Sequence, residues 1–361
     1  MKFGRPARFN NRKRGICLKP SGLKHCIQKL LPGISLIAAL SLALLFAAGE
    51  KKASGEKVSK IAIFQFSSRP TLDDAAAAFI KTLAAAGFED GKNIYIKRFN
   101  AENDNAAGSA IAHEIINSRF DMAVTLSTPA LQIMAKANRD FKMPHIFGVV
   151  TDPAGAGVEI KRDDAYAHPQ HLAGIGTFQP VEKAIELAKL MNPGLKKIGT
   201  PWTLSEQCAE ACVSKARKKC AELGITLVES PVENSSSVLD ASRALVLKGV
   251  EALWVGGDNI VETSIESVIK AGTEAGIPVF TNNPDHAPKG AYVSLGANYY
   301  QVGEKLGELT ASILSGRPIK SVPIENVVPE NLVINLKDNK NLGAQWKIPA
   351  EVSRRAAKII E

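Results

Sequence analysis

The chain has 361 residues, enough for two domains, and 45% of them are hydrophobic while only 6% are aromatic. This composition is typical of a globular α/β protein and excludes a chain that is disordered throughout. The net charge of +9 comes from the first 48 residues, which hold nine of the 45 basic residues and no acid; the remaining 36 basic residues balance 36 acidic ones, which argues against a nucleic-acid-binding surface.

The basic leader has the pattern of an export signal. It runs into an apolar segment, ISLIAALSLALLFAA (34–48), and then into small and charged residues. This segment is typical of a signal-peptide core and short for a bilayer span. We therefore predict that residues 1–48 are a signal peptide or an uncleaved N-terminal anchor, and that the protein works in the periplasm or elsewhere outside the cytoplasm.

Strands and helices alternate from Val58 onwards. Thr71 is expected to cap the first helix, and Gly87 to end it. In the first half we predict strands at 60–66, 93–99, 121–126, 144–150 and 171–176, and helices at 71–88, 103–120 and from 130.

The same alternation is repeated in the second half. We predict helices at 180–192, 205–224, 237–249 and 259–276, strands at 196–202, 225–230, 250–257 and 277–281, and then a strand and turn at 290–300, a helix at 301–316, a strand at 331–336 and a helix at 349–360. Apolar strands separated by helices indicate parallel sheets covered on both faces. The predicted fold is therefore α/β, with two Rossmann-like lobes.

Small polar residues follow six of the predicted strands. Ligands bind beyond the carboxyl ends of strands in open parallel sheets, although each of these residues could equally be a helix cap. Pro129 fits the first turn of the helix that follows Ser127 and Thr128. The polar strand ends are Ser67-Ser68, Ser127-Thr128, Thr151-Asp152, Thr203 with Ser205, Gly256-Gly257-Asp258-Asn259, and Asn282-Asn283.

Trp202 follows the first strand of the second half, where its ring could stack on a flat ligand or pack in the core. Cys208, Cys212 and Cys220 lie within one predicted helix, and the rise between Cys212 and Cys220, about 12 Å, forbids a disulfide between those two. We expect small buried thiols.

Catalytic signatures are absent from the sequence, which lacks G-x-S-x-G, G-x-x-x-x-G-K-[ST] and H-E-x-x-H. His168 and His171 in HPQH form a weak candidate for a metal site, because no partner cluster accompanies them. We predict a protein without enzymatic activity, cofactor or resident metal.

Four segments carry a resemblance to a known family: STPALQ (127–132), PHIFGVVTDPAGAGV (144–158), the segment 253–281, and the segment 290–349. With them the chain resembles the substrate-binding proteins of ABC transporters that have the periplasmic-binding-protein type I fold, in the branch that includes tryptophan-binding members. Two segments depart from the family pattern: GTPWTLSEQCAEA (199–211) and the long charged connection at 152–174.

The resemblance implies two lobes joined by three hinge crossings, near Thr177, Tyr292 and Pro318. Lobe one would comprise 58–177 plus 292–317, and lobe two 178–291 plus 318–361. The lobes would close on a small molecule, and an ABC permease in the inner membrane would recognise the closed form of a monomer. A ligand-sensing ectodomain for a membrane signalling partner is the alternative function.

An amino acid, aromatic or otherwise, follows from the resemblance together with the polarity of the strand ends. Ser67, Ser127, Thr128 and Thr151 would bind polar groups, with the amides beside Ser127 and Thr128 suited to a carboxylate. Asp258 would suit an ammonium group, Asn282 would donate or accept a hydrogen bond, and Trp202 would stack on the side chain. The complete set of expected ligand-binding residues is Ser67, Ser127, Thr128, Thr151, Asp152, Trp202, Ser205, Asp258 and Asn282.

Overall fold

The computed structural model describes residues 58–361, so the predicted leader at 1–48 lies outside the described residues. Across 58–361, none of the helices is long and apolar enough to cross a bilayer. Two separate sheets organise this part of the chain, and each is covered by helices.

The first sheet is parallel throughout and has the strand order β11-β5-β4-β3-β1-β2. Its strands are β1 (Ser59–Gln65), β2 (Ile94–Asn100), β3 (Met122–Leu126), β4 (His145–Val150), β5 (Leu172–Gly176) and β11 (Glu325–Asn326). Its helices are α1 (Pro70–Ala85), α2 (Asn105–Asn117), α3 (Thr128–Ala137) and α9 (Tyr299–Leu314). We call these elements lobe one.

The second sheet has the order β13-β12-β10-β9-β8-β6-β7, and in it β12 runs antiparallel to β10. Its strands are β6 (Lys197–Thr203), β7 (Thr226–Val232), β8 (Ala252–Val255), β9 (Val279–Thr281), β10 (Val293–Ala297), β12 (Glu330–Asn335) and β13 (Lys358–Ile360). Its helices are α4 (Val181–Met191), α5 (Gln207–Glu222), α6 (Val238–Leu247), α7 (Asn259–Thr263), α8 (Ile265–Ala275) and α10 (Ala350–Arg355). We call these elements lobe two.

Two of the three crossings between the lobes lie later in the chain than predicted. The segment after Tyr292 pairs with β9 and β12 in the second sheet, so the chain returns to lobe one only at Asn298. It then stays there through β11, which pairs with β5, and leaves after residue 328 instead of near Pro318. Lobe one is therefore 58–177 plus 298–328, and lobe two is 178–297 plus 329–361. Sequence reasoning missed this because strand pairing is non-local.

Three local predictions also need correction. Helix α1 begins at Pro70, and Thr71 lies inside it without capping it. The single helix predicted at 259–276 is divided at Ser264, whose φ of −112° and ψ of 29° interrupt it. The helix predicted at 349–360 ends at Arg355, because the chain then extends to pair Ile359 with Ile334. The predicted end of α1 at Gly87 is confirmed by the left-handed φ of 91° at that residue.

Candidate ligand-binding cleft

The carboxyl ends of the strands place polar residues from both lobes along one edge of each sheet. In lobe one, Gln65 of β1 pairs with Leu126 of β3, so Ser67 and Thr128 are the residues two positions beyond this pair. In lobe two, Val255 of β8 pairs with Thr281 of β9, and Asp258 and Asn282 follow them. The predicted clustering of strand ends is therefore present within each lobe.

The two lobes are in direct contact through Arg69, which directly precedes α1. Its Nη1 donates to Glu262 Oε2 at 2.6 Å and its Nη2 to Asn259 Oδ1 at 2.8 Å, both from helix α7 of lobe two. The side chains of Arg69 and Glu262 are only 13% and 3% exposed, so the ion pair is shielded from water. The cleft is thus closed in this structure.

Glu262 is also held from within lobe two. Asn283 Nδ2 donates to Glu262 Oε2 at 2.7 Å, and His286 Nε2 lies 4.0 Å from the same oxygen. Burial lowers the pKa of His286 to about 4, so its imidazole is neutral at pH 7. Arg69 is therefore the cationic partner of Glu262 at neutral pH.

Gln179 lies at the first crossing and forms hydrogen bonds to both lobes and to Tyr299 at the second crossing. Its Nε2 donates to Tyr299 Oη at 3.2 Å, and its Oε1 accepts from Thr151 Oγ1 at 3.5 Å and from Cys212 Sγ at 3.5 Å. Thr151 belongs to lobe one and Cys212 to lobe two, and both are buried. This cluster therefore lies beside the first and second crossings between the lobes.

Several buried polar atoms on the cleft-facing segments have no hydrogen-bond partner among the described residues. They are Ser67 Oγ, Arg69 Nε, Thr71 Oγ1, Thr128 Oγ1 and, from lobe two, Gln207 Oε1. Buried polar groups in native proteins are nearly always bonded, and leaving one unbonded costs roughly 1–3 kcal/mol. A polar ligand in the closed cleft would supply the missing partners.

The predicted residues of lobe one divide into two kinds. Ser67 and Thr128 are buried and unpartnered, as a ligand-binding role requires, whereas Ser127 caps α3 by accepting from the Ala130 amide at 3.4 Å. Ser127 has a φ of 104°, a strained value for a serine. Asp152 is engaged locally, accepting from Gly155 N at 3.2 Å and from Arg162 Nη2 at 2.7 Å.

The predicted residues of lobe two are mostly occupied by their own lobe. Asp258 caps α7, accepting from Ile260 N and Val261 N at 3.0 and 2.9 Å, and also binds both the amide and the hydroxyl of Thr203. Asn282 accepts from Trp254 Nε1 and donates to Leu295 O, each at 2.9 Å. Neither placement supports the direct ligand contacts that the sequence suggested.

Trp202 and Ser205 lie apart from the contacts between the lobes. The indole of Trp202 belongs to the core of lobe two, donates to Glu229 Oε2 at 2.9 Å, and lies 5.3 Å beneath the guanidinium of Arg217. This placement matches the core alternative for the ring and does not support stacking on a ligand. Ser205 is exposed at the start of α5.

Sequence reasoning placed Asn259 at a polar strand end but missed four other residues that join the lobes: Arg69, Glu262, Gln179 and Tyr299. The segment SSRP at 67–70 could have indicated Arg69, because an arginine that directly follows the polar strand end Ser67-Ser68 is expected to lie at the cleft. Glu262 gave none, since it lies within a predicted helix where glutamate is usually exposed.

The three cysteines are buried in lobe two, and His168 of the HPQH segment is hydrogen-bonded to the backbone of lobe one. Cys208, Cys212 and Cys220 are buried and free, as predicted, and burial raises the pKa of Cys212 to about 12. His168 is bonded to the carbonyls of Pro169 and Val322 at 3.1 and 2.8 Å. Among residues 58–361, no group of three or more His, Cys, Asp or Glu side chains could hold a metal ion.

Comparison with known proteins agrees with this geometry. The family model for ABC transporter substrate binding proteins matches residues 60–360. A tyrosine-binding protein from Clostridioides difficile (strain R20291) is 30% identical over 295 residues, which cover 82% of this chain and 84% of that protein.

Solved structures with the same fold include three relatives of high coverage. A conserved domain protein from Vibrio cholerae is 31% identical with a TM-score of 0.79, over 84% of this chain and 100% of that one. The ligand-free, open structure of a substrate-binding protein with adhesive properties from Clostridium difficile is 30% identical with a TM-score of 0.64, over 84% of this chain and 99% of that one. An ABC domain from Streptococcus pneumonia in complex with L-Trp has a TM-score of 0.78, over 84% of this chain and 100% of that one. Because it is only 24% identical, it supports the fold alone. With two lobes of the periplasmic-binding-protein type I fold and a family match over nearly all described residues, the chain belongs to the ABC transporter substrate binding protein family.

Proposed function

We propose that this protein captures an amino acid, aromatic or of another kind, in the cleft between the lobes and delivers it to an ABC permease in the inner membrane. The observation that carries this proposal is the closed cleft itself, in which Ser67, Thr71, Thr128, Arg69 and Gln207 bury polar atoms without partners among residues 58–361. In this proposal these atoms bond the solute. The protein acts by binding and involves no chemical step.

The polarity of the two walls favours a zwitterion. Lobe one offers the hydroxyl of Ser67 after β1 and that of Thr128 at the N-terminus of α3, where the helix dipole favours a carboxylate. Lobe two contributes the buried acid Glu206, whose negative charge would favour an ammonium group. The printed name of the relative, tyrosine-binding protein, supports an aromatic amino acid.

The importer role and the location rest on the family and on the leader. Substrate-binding proteins of ABC transporters work outside the cytoplasm, and the basic and apolar pattern at 1–48 suits export. We therefore assign the periplasm, or the outer face of the cytoplasmic membrane if the leader is retained.

A thermal-shift screen of the ligand-free protein against the twenty amino acids tests the ligand class. A ligand at 100 times its Kd stabilises the folded state by about 2.7 kcal/mol. For the best amino acid, the matched analogues lacking either the carboxylate or the ammonium group should each lose the shift. If no amino acid shifts the melt, the amino-acid proposal fails.

The importer role needs a separate test in cells. Deleting the gene should abolish uptake of the labelled amino acid, and the wild-type copy should restore it. Unchanged uptake, with binding intact, would contradict the importer role and favour the sensing alternative.

A further inference from the structure

Lobe one contains a second cavity that the cleft does not use. This cavity, of about 860 Å³, is bounded by the end of α3, the turn at 138–142, the start of β4, and the loops at 156–159 and 169–172. We call it the basin. Small-molecule sites typically measure 300–1,000 Å³, so the basin has the size of a ligand site.

The basin lies at the opposite edge of the sheet from the cleft. Strands β4 and β5 begin in its wall, at His145 and Leu172, and both end at the cleft side. Six residues of β4 span about 17 Å, so a molecule in the basin cannot also contact the strand ends of the cleft. A ligand here would occupy an independent site.

The rim of the basin is cationic. Lys136, Arg139 and Lys142 are exposed there, and none of them has an ion pair or a side-chain hydrogen bond with another residue in 58–361. Asp140 and Glu159 are the two acids of the lining, which leaves one net positive charge. Lys136 lies in the last turn of α3, where a cation complements the helix dipole, but Arg139 and Lys142 lie beyond the helix.

The turn that carries these cations is rigidly held. Asn138 is fully buried; its Nδ2 donates to Met143 O at 2.7 Å, and its Oδ1 accepts from Met143 N at 2.9 Å. Lys142 and Glu159 have φ values of 51° and 63°. Such left-handed backbone is uncommon outside glycine and often accompanies functional sites, because the surrounding structure must enforce it.

A buried histidine in the wall has a free ring nitrogen. His145 Nε2 is 2.9 Å from Thr125 Oγ1, whereas its Nδ1 has no partner among the described residues. Burial lowers the pKa of His145 to about 3, so the ring is neutral. The apolar side chains of Val158 and Leu172 line the same wall.

We propose that the basin is a second ligand site, which takes a small organic anion consisting of a carboxylate on an aromatic or apolar body. The carboxylate is bound by the three rim cations Lys136, Arg139 and Lys142, and the body rests against Val158 and Leu172. Cations supply charge-assisted hydrogen bonds, while burial of the body supplies the apolar contribution.

Benzoate is the probe for this site, followed by two-dimensional NMR of the 15N-labelled protein. At about 10 mM, which reveals a Kd in the millimolar range, benzoate should shift the amide signals of Lys142, His145 and Leu172 in a saturable way. Replacing both Lys136 and Arg139 by glutamine should raise the benzoate Kd by at least about fivefold. The matched control replaces Lys337 and Lys340, two exposed lysines of lobe two, by glutamine and should leave the Kd unchanged.

Three results would overturn the proposal. They are the absence of saturable shifts, shifts confined to Ser67, Thr128 and the other cleft residues, and an unchanged Kd in the Lys136 and Arg139 double variant whose spectrum is otherwise native.

Discussion

Arg69 shows how one side chain connects the two lobes. It directly precedes α1, and both of its bonded partners belong to α7 of lobe two. In an open cleft its guanidinium and the carboxylate of Glu262 would be separated and hydrated. The ion pair therefore stabilises the closed form selectively, and in the proposed function this is the form that holds a ligand.

Replacing Arg69 with alanine should weaken ligand binding. Glu262 would then be buried on closure without its cationic partner, which is unfavourable. We expect the Kd of the best amino acid in the thermal-shift screen to rise at least tenfold, or about 1.4 kcal/mol, by calorimetry. The control is Arg243→Ala, because Arg243 and its partner Glu274 are each 46% exposed and should leave the Kd unchanged. Equal affinities for the wild type and Arg69→Ala would remove this ion pair from the binding mechanism.

Asp258 should make stability depend on pH. Burial and the nearby Glu206 raise the pKa of Asp258 to about 7, whereas an unfolded aspartate titrates near pH 4. Between about pH 4 and 7 the folded state therefore holds a proton that the unfolded chain has lost, so this group lowers the free energy of unfolding as pH rises.

Asp258→Asn keeps an acceptor for the amides of α7 and removes the titrating group. Its free energy of unfolding, measured with urea across this pH range, should fall less steeply with rising pH than that of the wild type. The control is Asp104→Asn, an exposed cap of α2 that accepts from Ala107 N at 2.8 Å, and it should retain the wild-type slope. If both variants retain the slope, Asp258 does not titrate in this range.

At the scale of elements, two arrangements position the cleft. The break at Ser264 separates α7 from α8 and lets the short helix α7 direct Glu262 towards Arg69. In lobe one, α9 packs closely on α1, whose N-terminus carries Arg69. The close approach depends on Gly303, where a Cβ would lie 2.2 Å from the carbonyl oxygen of Ala75.

Gly303→Ala should destabilise the protein even though alanine is the better helix former by about 1 kcal/mol. The added methyl meets backbone, which cannot rotate away, so we expect a loss of about 1–3 kcal/mol in the free energy of unfolding. Gly108→Ala in α2 is the matched control, because its Cβ would meet side-chain atoms and no backbone, the nearest being the terminal methyl of Ile133 at 2.9 Å. A stabilised Gly303→Ala variant would show that the two helices can separate without cost.

At the scale of the whole molecule, hydrogen bonds couple the three crossings. Phe178 N of the first crossing donates to Asn326 Oδ1 near the third at 2.7 Å, and Asn298 N of the second donates to Pro329 O at 2.8 Å. The hydrogen bonds of Arg69 across the cleft, by contrast, join side chains to side chains. We infer that the lobes open as rigid bodies by rotation at the crossings, which is the usual closure of two-lobed binding proteins.

Small-angle X-ray scattering can test this movement. Saturating the protein with its amino acid should lower the radius of gyration, because closure brings Arg69 to Glu262. An amino acid that gives no thermal shift should leave the radius unchanged. The same radius with and without bound ligand would contradict rotation of the lobes.

Most of the fold was predictable from the sequence, and so was the edge of each sheet at which polar residues gather. Alternating apolar strands and helices indicated two α/β lobes. The hydroxyls of Ser67 and Thr128, at two of the polar strand ends, are buried without a hydrogen-bond partner among residues 58–361, and their contact with a ligand stays a prediction. The same rule also selected Asp258 and Asn282, whose side chains are used by their own lobe. The sequence of a polar strand end is the same whether its side chain caps a helix or faces a ligand, so the two roles cannot be told apart from sequence.

The sequence by itself determined the fold class, the family resemblance and the edge of each sheet where a ligand would bind, because periodicity and strand-end chemistry are local properties. Only the tertiary structure decided that β10 belongs to lobe two, that Arg69 meets Glu262 across 193 positions of chain, and that Trp202 packs away from the cleft. These features depend on which strands pair and on how the lobes close. Such contacts join residues distant in sequence, and local patterns carry no record of them.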